Sequence, residues 1–234
     1  MILTRDKDQF LTLEERTARA NTENADLFVS IHVNAHRNKN AYGTETYLLN
    51  LATDEESIRV AAMENATSTK NISDLQTILM ELMQNAKINE SSRLAGYVQS
   101  HMVGHLSKKY SKVKDKGVKQ APFYVLLGAQ MPAILVETAF ISNPSEEKRL
   151  KDPAWQRKIA RTIADGVQDY FYLSPPPGTW LASNRKPVKY RVVRGDTLGE
   201  IANRYRVSLY SLRRANNLRS DTIRVGAELL IPTT

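Results

Sequence analysis

Two apolar runs in this sequence end in side chains that can do chemistry. Ser30-Ile-His-Val-Asn34 places His32 near the end of a run that starts at Asp26, and Ala133-Ile-Leu-Val-Glu137 ends in a carboxylate. In open α/β sheets ligands gather outside the C-terminal ends of strands, so polar residues emerging there are better candidates than residues in mid-strand. A neutral imidazole at that edge can bind a metal or hydrogen-bond to backbone. A carboxylate at the end of a buried strand is costly unless it is paired, hydrogen-bonded or near a metal. One His and one Glu from separate strands point to a metal-assisted hydrolytic site, with Glu137 as general base or acid toward an activated water. One imidazole alone falls short of the three protein ligands usual at catalytic zinc. His101 and His105 lie four apart in a helical stretch and can share a face. No Glu follows His101, as a His-Glu-x-x-His site requires, so the pair reads as ordinary helix surface.

The elements that must position these groups read as α/β. Asp26 to His32 and Ala133 to Glu137 are nearly continuous apolar runs, as expected of strands buried on both faces. Gly43-Thr-Glu-Thr-Tyr-Leu-Leu49 is a further strand and Phe123-Tyr-Val-Leu-Leu127 another. Met1-Ile-Leu-Thr4 looks like the end of a strand, so the unit is expected to begin mid-sheet. Leu13 to Asn21 and Trp155 to Phe171 have helical spacing. Residues 53–115 are helical, charged and Met-rich, broken at Ala66 to Ser73. Within them Leu75, Ile78, Leu79, Leu82 and Met83 form an apolar stripe, suited first to packing within the fold and second to docking a partner. Leu173-Ser-Pro-Pro-Pro-Gly to Pro187 is a stiff, polar tether between two units. After it comes a strand–helix–helix–strand pattern: Tyr190 to Val193, Leu198 to Tyr205, Leu209 to Ala215 and Glu228 to Ile231.

Composition narrows the classes. The chain has 234 residues, 41% hydrophobic and 25% charged, which excludes wholesale disorder. No apolar stretch approaches the ~18 residues of a membrane span. The absence of cysteine removes disulfides and thiolate metal sites. Met1 to Arg5 is not a signal peptide, because no basic segment precedes an apolar one. Of the net charge of +8, residues 173–234 carry +7, from 11 Lys+Arg against 4 Asp+Glu. A basic C-terminal quarter is compatible with nucleic acid, an anionic wall polymer or plain solubility. A solvated module surface accounts for its arginines, and nucleic acid is set aside.

Leu3-Thr-Arg5, Arg16, Ala20-Asn21, Ala25-Asp26, Ser30-Ile-His-Val-Asn-Ala35 and Leu135-Val-Glu-Thr-Ala-Phe-Ile-Ser-Asn-Pro144 occur in one order over residues 1–172. Together they resemble the zinc-dependent N-acetylmuramoyl-L-alanine amidases of the cell-separation type. The resemblance implies a phosphorylase/hydrolase-like α/β fold, a mixed sheet flanked by helices. It also implies Zn2+ held by His32, catalysis by Glu137, and cleavage of the bond between N-acetylmuramic acid and the first L-alanine of the stem peptide. Two further ligands of the family, a His in an Asp-Pro-Gly-His-Gly-Gly-type turn and a Glu on the next helix, precede the Leu-Thr-Arg motif. This chain has no residues there, so the first strand and helix of the fold are expected to be missing. The alternative reading is therefore a non-catalytic peptidoglycan-binding or regulatory protein. Residues 53–93 resemble the regulatory insertion of division-associated amidases, in which a helix blocks the zinc. On Met63-Glu-Asn-Ala66 that likeness makes Glu64 the inhibitory ligand, with release by a protein activator.

Residues 188–234 resemble a LysM module, a small βααβ domain. Tyr190-Arg-Val-Val-Arg-Gly-Asp-Thr-Leu198, Ile201-Ala202, Asn216-Asn-Leu218, Ile223, Gly226 and Leu230-Ile-Pro232 carry the likeness. It implies a shallow groove for N-acetylglucosamine-containing glycan. The groove would run between Gly195, Asp196, Thr197 and Leu198 on one loop and Asn217, Leu218 and Ile223 on the other. The expected protein is a peptidoglycan hydrolase tethered to the wall, periplasmic or wall-associated.

Overall fold

The computed structural model describes residues 1–68, 71–82, 86–107, 110, 113–176, 178–183, 187–205 and 207–232, without the side chains of 78–82 and 86. Met83 of the apolar stripe lies outside the described residues, as do the side chains of Ile78, Leu79 and Leu82. The same holds for residues 177 and 184–186 of the Pro-rich tether. The chain divides into two compact units, Met1–Gln168 and Asp169–Thr234.

The first unit starts with α1 (Leu13–Thr22), β1 (Phe28–Asn34), β2 (Thr44–Leu49), α2 (Glu55–Glu64), α3 (Ile72–Leu82) and α4 (Ala86–Leu106). It continues through β3 (Asp115–Ala121), α5 (Tyr124–Leu127), β4 (Ala133–Phe140), α6 (Pro144–Leu150) and α7 (Pro153–Leu173), the last turn of which belongs to the second unit. The four strands form one mixed sheet in the order β1-β4-β2-β3. β4 runs parallel to β1 and antiparallel to β2, and β2 runs parallel to β3. The fold is thus α/β, a mixed sheet flanked by helices, with a small βααβ unit after it.

β4 is buried at every position, as its apolar run requires of a central strand. β1 departs from that reading. Among the described residues it pairs only with β4, and Ile31 and Val33 stand 58% and 39% exposed. An apolar run records affinity for a sheet but does not say whether both faces are covered. Phe123 to Leu127 is not a strand: Tyr124–Leu127 turns into the short α5, and the strand at that sheet edge is Asp115-Lys-Gly-Val-Lys-Gln-Ala121. Lysines are what an edge strand carries to blunt further pairing, and they hid β3 from a reading by hydrophobicity. Pro122 ends β3, and Phe123 buries its ring edge-on against Tyr47, centroids 5.0 Å apart. Met1 to Thr4 forms no strand.

The two faces of the sheet are covered differently. On one, Tyr47 and Leu135 join Val60 and Ala61 of α2, Phe123, and Leu126 of α5 in a common core. On the other, Thr44 and Thr46 of β2 bond to Gln99 of α4, and Thr44 also reaches Met102. Capping fixes where the helices start. Thr12 and Glu15 form a reciprocal box at α1, Asp54 caps α2, and Asn143 caps α6 with Pro144 in its first turn.

In the second unit α8 (Trp180–Ser183) is followed by β5 (Val188–Arg191), α9 (Leu198–Tyr205), α10 (Leu209–Ala215) and β6 (Glu228–Ile231). β5 and β6 pair antiparallel. Val192, Leu198, Ile201, Ala202, Tyr205, Val207, Leu212, Leu229 and Ile231 are among its buried apolar residues. The first strand lies two residues earlier than its alternation suggests, since Val192 turns inward while its N–H still bonds Ala227. Among the described residues no helix is long and apolar enough to cross a membrane.

Candidate functional site

Register places the site before any side chain is considered. His32 on β1 is level with Glu137 on β4, and Glu137 is level with Glu45 on β2. Level residues of paired strands share a face, so the sheet presents one row, His32–Glu137–Glu45, on the side covered by α2. His32, Glu137 and Glu64 of α2 then have ligand atoms within 4.8 Å of one another.

Glu64 reaches the row from the last position of α2. A carboxylate there opposes the helix dipole, a cost of about 0.3–1 kcal/mol, so its placement needs a partner. That partner is His32, whose Nδ1 lies 2.6 Å from Glu64 Oε2, while its Nε2 lies 2.8 Å from Ser30 Oγ. With the proton on Nδ1 the ring donates to Glu64 and accepts from Ser30, and both nitrogens are used. The end of α2 is itself pinned. The buried Asn65 donates Nδ2 to the Pro122 carbonyl (2.8 Å) and accepts from the Tyr124 N–H (2.8 Å). At the other end Asp54 accepts from the N–H and hydroxyl of Ser57 at 2.9 and 2.8 Å. Arg59 lashes the middle of the helix to the Ala35 carbonyl (3.0 Å), just beyond β1.

Glu137 is fully buried, and among the described residues neither of its carboxylate oxygens has a hydrogen-bond partner. Burial above all, then the neighbouring carboxylates of Glu64 and Glu45, push it up to about 9, with Arg59 opposing. In this arrangement the group is a neutral acid at pH 7. The carboxyl groups of Glu64 and Glu137 and the imidazole of His32, with ligand atoms this close, form a donor set of the kind that fits a zinc-type ion.

Glu45 was not singled out by the sequence. It is also fully buried, yet it is held: Asn34 Nδ2 donates to it at 2.7 Å, and Lys119 and Lys116 approach at 3.1 and 3.5 Å. Lys116 also faces Glu56 of α2 at 3.5 Å. The signal for Glu45 was present in the alternation of Thr44-Glu-Thr-Tyr47, which puts it on the same face as the core residue Tyr47. Glu146 is a further buried acid beyond β4. It accepts from the N–H of Phe140 (2.7 Å) and of Gly43 (3.1 Å) and so ties the end of β4 to the start of β2.

The loops singled out in the second unit have a different character. Gly195 is exposed at φ +98, a backbone conformation that L side chains rarely adopt. Asp196 accepts from the Tyr190 hydroxyl (2.6 Å), from the Val193 N–H (2.8 Å) and from Arg204 (3.4 Å). The first of these bonds chiefly holds its carboxyl below the usual range. Thr197 and Glu200 cap α9 reciprocally. Leu198 is buried, so only its backbone can face a ligand. On the second loop Asn217 is exposed at φ +53, and Leu218 and Ile223 are half-buried. Asn216, named in the sequence as part of the LysM likeness, accepts from the Leu230 N–H (2.6 Å) and donates to the Leu230 carbonyl (2.7 Å). That double bond ties the second loop to β6.

Comparison with known proteins places both units. Residues 1–169 match the family model described as N-acetylmuramoyl-L-alanine amidase, and residues 190–232 match the LysM domain. The chain is 36% identical over 184 residues to N-acetylmuramoyl-L-alanine amidase AmiC of Neisseria meningitidis, covering 74% of this chain and 42% of that protein. It is 34% identical over 181 residues to AmiA of Escherichia coli K12, covering 73% and 60%. The chain therefore spans about half the length of these curated relatives. Among solved structures, an N-acetylmuramoyl-L-alanine amidase from Clostridium difficile 630 superposes with TM-score 0.52 at 32% identity, over 71% of this chain and 69% of that one. AmiC2 of Nostoc punctiforme gives 0.50 at 27%, over 73% and 71%.

Proposed function

This chain belongs to the N-acetylmuramoyl-L-alanine amidase family through residues 1–169, and on that premise we propose that it serves hydrolysis of the amide joining N-acetylmuramic acid to the L-alanine of the peptidoglycan stem. The observation that carries the reading is the convergence of His32, Glu64 and Glu137 within 4.8 Å on one face of the sheet. Residues 1–172 are the catalytic part, 53–93 a regulatory insertion, 173–187 a linker and 188–234 a wall anchor. His32 is the residue that would hold zinc, and the family's other two ligands belong ahead of Leu3. Zinc, when bound, supplies Lewis acidity toward the scissile carbonyl and lowers the pKa of water.

Glu137 then has two tasks in sequence. As a carboxylate it takes the proton of the attacking water, and as an acid it returns that proton to the departing alanine nitrogen. Its position suits both, because it is buried, has no competing hydrogen bond among the described residues, and is level with His32. Glu45, held by Asn34 and Lys119, keeps the row polar without entering the reaction. Glu64 opposes the reaction. As the inhibitory ligand, its carboxylate beside His32 would fill the position that the attacking water needs, and α2 covers the face on which a stem peptide must lie. Displacing α2 requires a partner with higher affinity for the displaced state, and a protein activator is the class of partner that fits.

The LysM module brings the enzyme to N-acetylglucosamine-containing glycan and raises its local concentration on an insoluble polymer. Its positive charge suits anionic wall material, and a periplasmic or wall-associated location follows from that substrate. The test joins the two upstream family ligands ahead of Leu3, digests purified peptidoglycan and assigns the products by mass spectrometry. Stem peptides with a free N-terminal L-alanine are expected. Cleavage only at glycosidic or peptide cross-link bonds would overturn the assignment. Residues 1–234 alone are expected to release nothing, and chelator-sensitive hydrolysis by them would mean that the ligand set named here is wrong.

A further inference from the structure

On the face of the sheet opposite the His32 row, α4 and α7 cross at unusually short range. A Cβ built on Gly166 of α7 would lie 2.6 Å from the Cα and 2.9 Å from the N of Val98 on α4, so only glycine lets the two backbones meet there. The crossing sets the neighbours of both residues side by side. His101 is one turn beyond Val98, His105 is one turn beyond His101, and Asp165 precedes Gly166. The rings of His101 and His105 stack with centroids 5.4 Å apart and planes 19° apart. One ligand atom from each of His101, His105 and Asp165 lies within 4.8 Å of the other two, and all three residues are half-buried.

We propose that His101, His105 and Asp165 form a second metal site, one that takes a divalent transition-metal ion of the zinc class and clips α4 to α7. Three features of the cluster support this. Two imidazoles at i and i+4 present their edges to one side of a helix, which is the spacing that allows a chelate. His105 Nδ1 lies 3.0 Å from the His101 carbonyl, which can only accept, so Nδ1 carries the proton and Nε2 keeps the lone pair that a metal needs. Asp165 comes from the other helix and adds the negative charge. Its Oδ1 accepts from Arg161 Nε at 3.1 Å, an i,i+4 pair with Arg161 77% exposed. Such a pair is worth little, and a carboxylate has lone pairs enough for a metal as well. Two nitrogens and one oxygen favour zinc, copper or nickel over magnesium or calcium, which prefer all-oxygen shells. A first-row ion would complete its shell with solvent at this half-buried position.

The experiment titrates Zn2+ alone into the full chain and follows histidine-ring NMR signals. Saturating shifts at His101 and His105 are expected with about one equivalent bound at that site, and the same step is expected in His32→Ala. Asp165→Asn keeps the side-chain shape and is expected to weaken this step at least about tenfold, as is His105→Gln. Each variant is checked for unchanged circular dichroism without metal. Ring signals of His101 and His105 unmoved by a tenfold excess of Zn2+ would overturn the proposal. Undiminished affinity in the folded Asp165→Asn chain would overturn the three-ligand site.

Discussion

The sheet row of the amidase unit and the loops of the LysM unit solve opposite problems. In the row, Glu137 and Glu45 are fully buried and stand level on adjacent strands, and among the described residues Glu137 has no hydrogen bond to either oxygen. In the loops, Asp196 is surrounded by donors and Gly195 and Asn217 are exposed with positive φ. The first region keeps Glu137 in an unfavourable setting, where burial and the neighbouring carboxylates raise its pKa. The second keeps side chains satisfied and spends its special features on backbone shape. Chemistry on a bond needs the former, and recognition of a flat, polar glycan needs the latter. Single side-chain changes should therefore be far more damaging in the row than in the loops.

The largest expected effect is at Glu137. In the ligand-restored chain, Glu137→Gln should lower the rate of muropeptide release by about 10²–10⁴-fold, the usual range for a general acid–base residue. In residues 1–234 without metal, where burial raises the pKa of this carboxyl group to about 9, the amide should leave the thermal midpoint nearly unchanged. A variant with substantial activity would remove Glu137 from the mechanism. Glu45→Ala should act through stability instead, since it leaves Lys119 and Asn34 facing a void. Removing one partner of a buried pair costs about 3–5 kcal/mol, which urea unfolding of the full chain would read. A loss below about 1 kcal/mol would show that Glu45 is no anchor of the row.

In the module the expected effects are smaller. Gly195→Ala places a Cβ at φ +98 and should weaken binding of N-acetylglucosamine oligomers several-fold while the module stays folded, read by NMR titration. The strain involved is of order 1–3 kcal/mol. Unchanged affinity would mean that the glycan binds elsewhere. The smallest effect concerns pH. Asp196 has its acidity raised in the folded state by Tyr190 and Val193. It therefore binds protons less readily folded than unfolded. Its stabilisation is present above the unfolded carboxylate value near 4 and is lost as pH falls through the lower, folded one. Asp196→Asn should flatten that acid limb of the module's unfolding curve, and an unaltered limb would assign it to other carboxylates.

Much of this contrast was legible in the sequence, and the gaps have physical causes. His32 and Glu137 were visible because each ends an apolar run, and β4 reads as central because nothing polar interrupts it before Glu137. Glu64 could be named only by likeness, since a carboxylate late in a charged helix has no periodic signature. β3 was missed because an edge strand can be written in lysine and glutamine, and α5 because Phe123-Tyr-Val-Leu-Leu127 has strand-like composition but follows Pro122. Glu45 was passed over because a single acid in Thr-Glu-Thr-Tyr suggests a solvated face, whereas pairing with β4 buries it. Asp165 is 60 residues from His105 and meets it only through the Gly166 crossing, which no local pattern reveals. In the module the apolar positions were plain, whereas the tie from Asn216 to Leu230 depends on two segments meeting in space.

On the proposed function, Glu64 holds the catalytic row shut. The most direct measurement compares basal muropeptide release by ligand-restored chains with and without Glu64→Ala, each folded and loaded with zinc. Without the carboxylate that lies 2.6 Å from His32, the row is open to water and substrate, and basal release should rise at least about tenfold, a gain of about 1.4 kcal/mol. A Glu64→Ala chain with the parent's basal rate would contradict the claim and leave α2 as a helix that merely covers the sheet.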